Sequence, residues 1–174
     1  MLSKLCWISD SRNFSTDPFV VHARWSVSFT TFQEEQRYFS SQMITTPASK
    51  AAVAATFTKM LSQPWNKCCI DCGARDPQLL NVRFGCFMCD SCGKFHAAMG
   101  MKTSNVATAG NHMWILDILR RVENSGNAYV QAMFFPALPD NMNPLKSEDV
   151  ASRLCPSFFI EKYEQLRFAV HEGE

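Results

Sequence analysis

No part of this 174-residue chain runs apolar for the ~20 residues that a bilayer-spanning helix needs. Even Ala51 to Phe57 is short and carries Thr56. An excess of one charge is missing too: 17 Lys and Arg face 16 Asp and Glu, a formal net charge of +1. That balance excludes a strongly basic nucleic-acid arm and an acidic solvating tail. Repeats and low-complexity tracts are absent. The first residues, Met1 to Ile8, form a weakly basic end and an apolar stretch too short and too interrupted for a secretory signal. The default compartment is therefore the cytosol, where thiols are kept reduced. A hydrophobic content of 47% with 19% charged residues excludes a wholly disordered chain. The length suits one domain, with or without a tail, burying roughly two-thirds of its extended surface.

What is present in excess is cysteine, eight in all. Six fall together: Cys68, Cys69, Cys72, Cys86, Cys89 and Cys92; Cys6 and Cys155 lie apart. Cys69-Ile70-Asp71-Cys72 and Cys89-Asp90-Ser91-Cys92 are two CxxC knuckles. Two residues between ligands let a tight turn aim both sulfurs at one ion, and two knuckles supply the closed four-thiolate set of structural zinc. Gly73 and Gly93 follow the knuckles, where positive φ or close backbone approach to sulfur suits glycine. A second register, pairing Cys86 with Cys89 and using Cys68, shortens the loop and strands Cys92. Cys68 and Cys86 read better as small apolar residues. Neither pair is expected to open a helix inside a βαβ unit, which argues against thioredoxin-like redox chemistry. Four thiolates leave no open position for water, so metal-assisted hydrolysis is not expected.

Around this module the pattern is mostly helical. Thr46-Pro47 predicts a helix start, with Val53, Phe57 and Met60 in step until Pro64 ends it. Leu79 to Phe84 and Gly85 to Met88 read as strands, and Phe95 to Met99 as a short helix closed by Gly100. Further helices are expected from Met113 to near Gly126, over Ala128 to Phe135, around Ser147 to Leu154, and from Phe158 to Phe168; Pro139 to Pro144 reads as a loop. Residues 1–42 are rich in Ser, Thr and Phe without a clear period. They are expected to form a poorly ordered extension, or to precede a true translation start at Met43, with a short element around Phe32 to Tyr38. Residues 43–174 form the zinc domain in this reading.

The residues from Pro64 to Pro77, including Pro64-x-Asn66 and Cys69-x-Asp71-Cys72-Gly73-Ala74-x-Asp76-Pro77, resemble the opening of the Arf GTPase-activating protein domain. The likeness continues through Gly85, Cys89, Cys92, His96, Gly100, Ser104, Val106 and Trp114. It then takes in Gly126-Asn127-Ala128 and Phe159-Ile160-x-Lys162-Tyr163-Glu164. It covers roughly residues 48–170. The resemblance implies an α+β fold: a small four-cysteine zinc core and a short antiparallel sheet, surrounded by about five helices. It implies one structural zinc on Cys69, Cys72, Cys89 and Cys92, and an Arf-class small GTPase as partner. The setting would be membrane traffic, in the cytoplasm or on Golgi or vesicle membranes, with recruitment by another protein.

The resemblance implies a catalytic arginine five residues after the fourth cysteine and directly after the histidine, and here that position is Ala97. An arginine finger is worth on the order of 10³ to 10⁵ in rate, and a methyl group supplies none of it. The family's tryptophan after Asp-Pro becomes Leu79, the arginine of its Val-Arg-Ser stretch becomes Ala107, and a Leu-Asp pair becomes Asn111-His112. With Lys94 and Lys102, which flank the short helix, Leu79 and Ala107 mark the candidate partner surface. A lysine is a point charge without the guanidinium fork, and Arg83 reads as a surface strand residue, so no catalytic residue is assigned. His96 is expected to pack or hydrogen-bond beside the zinc loop. Three functions result: a weak or inactive activator, itself no hydrolase; a catalytically silent interaction module; or, remotely, a GATA-like nucleic-acid finger. The last needs basic residues for phosphate contacts, yet only Lys94 and Lys102 occur between Cys92 and Arg120.

Overall fold

A computed structural model describes residues 46–100, 104–110, 113–144, 146–147 and 149–169. The expectations for residues 1–42, and the positions of Lys102, Asn111 and His112, lie outside this set. Helix α1 runs Lys50–Ser62. Its cap is Ser49, whose hydroxyl accepts from the Ala52 N–H, and not Thr46. The residue before a proline is driven toward extended backbone. Thr46 to Ala48 accordingly pair with the strand-like stretch at Trp114 to Leu116: the Ala48 N–H donates to Trp114 O and the Leu116 N–H to Thr46 O. Gln63 is extended, and Pro64–Asn66 form a single 3-10 turn leading to the first knuckle.

Three short strands follow: β1 (Leu79–Asn81), β2 (Cys86–Met88) and β3 (Val106–Ala107). They form an antiparallel sheet in the order β2-β1-β3, with Leu80 opposite Phe87 on one side and Ala107 on the other. Both faces are covered. Val53, Phe57, Leu80, Phe87, Ala107 and Trp114 pack on one face. Cys86, Met88, Phe134, Phe135, Phe159 and Tyr163 pack on the other. Burial on both sides erases the polar–apolar alternation that marks a half-exposed strand. The predicted strand from Leu79 to Phe84 is cut short because the chain turns after Asn81, where the Gly85 N–H donates back to Asn81 O.

Helix α2 (Asp90–Ala98) begins directly after Cys89, five residues earlier than the pattern suggests. Ser91, Cys92 and Gly93 are weak helix formers, so the first turn carries no helical signature. A Cβ on Gly93 would lie 2.2 Å from Leu79 Cδ1, so a larger residue there would displace the Leu79 side chain. The close approach in question is to Leu79, whereas Gly73, with φ of 73°, does meet the positive-φ expectation. Helices α3 (Leu116–Glu123) and α4 (Asn127–Phe134) complete the middle of the chain. A buried asparagine pair locks α4 to the knuckle segment. Asn66 Oδ1 accepts the Asn127 N–H, and Asn127 Nδ2 donates to Cys68 O.

The expected loop at Pro139 to Pro144 contains a 3-10 turn, Asp140–Met142, and the segment near Val150 is 3-10 rather than α. The C-terminal helix is the largest departure. It is α-helical only over α5 (Pro156–Phe159), then widens into a π turn over Ile160–Glu164, closed by the Gln165 N–H on Ile160 O. It stops before Leu166, whose φ is 53°. The fold is thus five helices and a three-stranded antiparallel sheet among the described residues. No helix among them is long and apolar enough to cross a membrane.

Candidate metal centre

The sulfurs of Cys69, Cys72, Cys89 and Cys92 all lie within 4.8 Å of one another. The first pair sits in the turn after the 3-10 segment; the second caps and enters α2. The backbone is arranged for thiolates: the Asp71 N–H points to Cys69 Sγ at 3.4 Å and the Ala74 N–H to Cys72 Sγ at 3.5 Å. Cys72 Sγ and Cys89 Sγ are 3.6 Å apart. Tetrahedral zinc with Zn–S of about 2.3 Å places its sulfurs roughly 3.8 Å apart, so the donor set and its spacing fit that ion.

Cys86 is not part of this group. It is fully buried on β2, and burial pushes its thiol well up, as suits a small apolar residue. The second CxxC opens α2, but the sheet beside it is antiparallel and has no βαβ crossover, so neither pair opens a helix inside a βαβ unit, as expected.

Beneath the knuckle lies a polar cluster that the spacing of cysteines did not reveal. Asp71, between the first two cysteines, is wholly buried. Its Oδ1 accepts from Lys162 Nζ at 2.9 Å and from Tyr163 Oη at 2.7 Å. Its Oδ2 lies 3.1 Å from His96 Nε2. His96 Nδ1 meets Ser104 Oγ at 2.8 Å, and Asn81 Nδ2 donates to the same hydroxyl at 2.8 Å. Burial alone would raise the Asp71 pKa, but the Lys162 ammonium and then the His96 contacts outweigh it and hold the carboxyl well below its usual range. Burial, followed by the Asp71 carboxylate, drives the Tyr163 phenol well above its usual value. His96 is therefore a hydrogen-bonded residue beside the knuckle, outside the sulfur group, as the sequence led one to expect. The only sequence trace of the cluster was the pairing of Cys-x-Asp-Cys with a distant Lys162-Tyr163.

Two consecutive residues of the π turn, Lys162 and Tyr163, reach one carboxylate. Consecutive residues still point well apart there, so the reach of the long Lys162 and Tyr163 side chains closes the remaining gap to Asp71 Oδ1. Lys162 Nζ also lies 4.6 Å from the Phe135 ring centre.

The remaining site positions separate clearly. Ala97 is exposed on α2, directly after the locked His96. Lys94, three residues earlier and so on the same face, is exposed as well. Leu79 is half-buried over Gly93. Ala107 is 1% exposed within the core on the far face of the sheet, so its side chain is not offered to a partner. Lys102 lies outside the described residues. Arg83 is exposed, but in the turn after β1 rather than on a strand.

The family described as "Putative GTPase activating protein for Arf" matches residues 54–172. ADP-ribosylation factor GTPase-activating protein 3 of Rattus norvegicus is 33% identical over 87 residues, covering 49% of this chain and 17% of that protein. Stromal membrane-associated protein 1 of Homo sapiens is 26% identical over 112 residues, covering 64% of this chain and 23% of that protein. The chain thus spans less than a quarter of the length of these two curated relatives. In fold it is similar to the solution structure of the ArfGap domain of human RIP, with a TM-score of 0.56 at 21% identity over 72% of this chain and 90% of that one.

Proposed function

The chain belongs to the ArfGap family, and on that footing we propose that it docks on an Arf-class small GTPase as a zinc-stabilised module with little or no stimulation of GTP hydrolysis. The observation that carries this reading is Ala97, exposed on α2 beside a zinc-type knuckle and a buried cluster that are intact. The scaffold that presents the catalytic face is present, and the cation that the resemblance assigns to that face is not. Phosphoryl transfer spreads negative charge over the transferring group, and an arginine finger offsets it by a factor of ~10³ to 10⁵. Lys94 is the only Lys or Arg of α2, and as a point charge it cannot make the two-pronged contact.

Zinc, when bound by Cys69, Cys72, Cys89 and Cys92, supplies folding free energy and fixes the start of α2. Its saturated coordination has no part in the hydrolysis. Service in membrane traffic and a cytoplasmic, Golgi- or vesicle-associated location belong to the same reading. So does recruitment by another protein.

Single-turnover hydrolysis on a panel of GTP-loaded Arf-class GTPases tests the reading, with direct binding measured alongside. Binding with stimulation well below ~10³-fold is expected. Stimulation at or above that level refutes the loss of finger chemistry, and absence of binding to every member refutes docking. The second reading, a silent interaction module for another partner, is favoured by the same Ala97 and gains from that last outcome.

A further inference from the structure

Lys162 is buried without any exposure, whereas every other lysine of the described residues is exposed. Burying an ammonium is costly unless opposite charge meets it. Its partner is Asp71, 91 residues earlier and between two of the sulfur ligands. Four thiolates around a divalent ion carry a net negative charge, and the Asp71 carboxylate adds to it. Lys162 is the lysine or arginine that the fold brings to that carboxylate.

We propose that Lys162 is a positioning residue for the metal centre: through Asp71 it aims the first knuckle and offsets the charge of the loaded thiolate set, raising zinc affinity. The route is geometric. Lys162 and Tyr163 hold the Asp71 carboxylate from one side and His96 from the other. With the side chain fixed, the Asp71 N–H stays directed at Cys69 Sγ. The chain leaves α-helical geometry at Ile160–Glu164, where these two donors arise. Outer groups that orient ligands in this way commonly change metal affinity 10- to 100-fold when removed. The metal centre on this account extends to the C-terminal segment and is not confined to the two knuckles.

The inference rests on the zinc reading of the preceding section, and the experiment separates the two. Zinc affinity of the full chain is measured by competition with a chromophoric chelator for wild type, Lys162→Met, Tyr163→Phe and Phe57→Leu. Phe57 packs on the opposite face of the sheet, so Phe57→Leu reports the affinity lost through destabilisation alone. The cobalt-loaded forms give a second readout, the thiolate-to-metal charge-transfer band. Lys162→Met is expected to bind zinc about 10- to 100-fold more weakly than the control and to shift the band. Tyr163→Phe, which keeps the ring and removes one donor to Asp71, is expected to move both in the same direction by a smaller amount. If Lys162→Met does not fold, Tyr163→Phe decides alone. Variants that track the control in affinity and keep the wild-type band overturn the inference. Wild type that takes up no zinc overturns the metal reading and the inference together.

Discussion

Asp71→Ala is the most discriminating single change in this fold. It leaves the Lys162 ammonium, the Tyr163 hydroxyl and His96 Nε2 without their shared acceptor, all at residues buried in the native state. Removing one partner of a buried ion pair costs about 3–5 kcal/mol. An unsatisfied hydroxyl costs about 1–3 kcal/mol alone, but groups in one network do not add, so the pair figure is the one to expect. A domain of this kind holds about 5–15 kcal/mol in total, so the variant survives with a much-reduced margin. Urea unfolding in excess zinc reads the loss: with m of about 2 kcal/mol per molar, the midpoint falls by about 1.5–2.5 M. Contact distance alone gives the opposite ranking. Lys59 and Glu123 meet at 2.7 Å, closer than Lys162 and Asp71 at 2.9 Å, but the Lys59 side chain is 66% exposed. Breaking that pair costs at most about 1 kcal/mol. The double variant Asp71→Ala/Lys162→Met should be more stable than the sum of the two single losses, because it leaves no charge stranded. A loss below about 1 kcal/mol for Asp71→Ala, the level of an exposed pair, or strict additivity in the double variant, refutes the cluster's proposed weight.

Zinc removal is expected to unfold the domain, because binding and folding are coupled in four-thiolate sites; a far-UV CD spectrum and melting curve unchanged by chelator would contradict this. The acid dependence follows from the depressed Asp71 carboxyl. Its contribution is full above the ordinary carboxyl pKa of about 3.9 and fades as pH falls through the lower folded value. Thermal melts of wild type and Asp71→Asn should therefore differ by a constant amount from neutral pH down to about 4 and converge only below it; convergence already near neutrality would contradict the assignment. At the α1 start, Ser49→Ala should cost about 0.5–2 kcal/mol and Thr46→Ala close to nothing in urea unfolding, the reverse of what the Thr46-Pro47 pattern suggests.

The features legible before folding are those that depend on neighbours along the chain. Cysteine spacing alone located the four sulfurs, because a two-residue gap constrains a turn wherever it occurs. Helical period located α1, α3 and α4 to within a few residues, since a packed face repeats along the chain. The likeness in spaced residues carried the family assignment and singled out Ala97. What remained illegible depends on contacts between distant segments. Strand β3 is two residues long and exists only because β1 lies beside it. The first turn of α2 is built from weak helix formers and is held by the knuckle and by Leu79 over Gly93. Ala107 looks like a surface change in a motif and proves to be core. Asp71 and Lys162 are the sharpest case. Each is a polar residue that local pattern assigns to solvent, and each is buried because the other is there. Burying either charge alone is costly, and only the opposite charge and its hydrogen bonds at the same place offset that cost, so tertiary structure alone decides it.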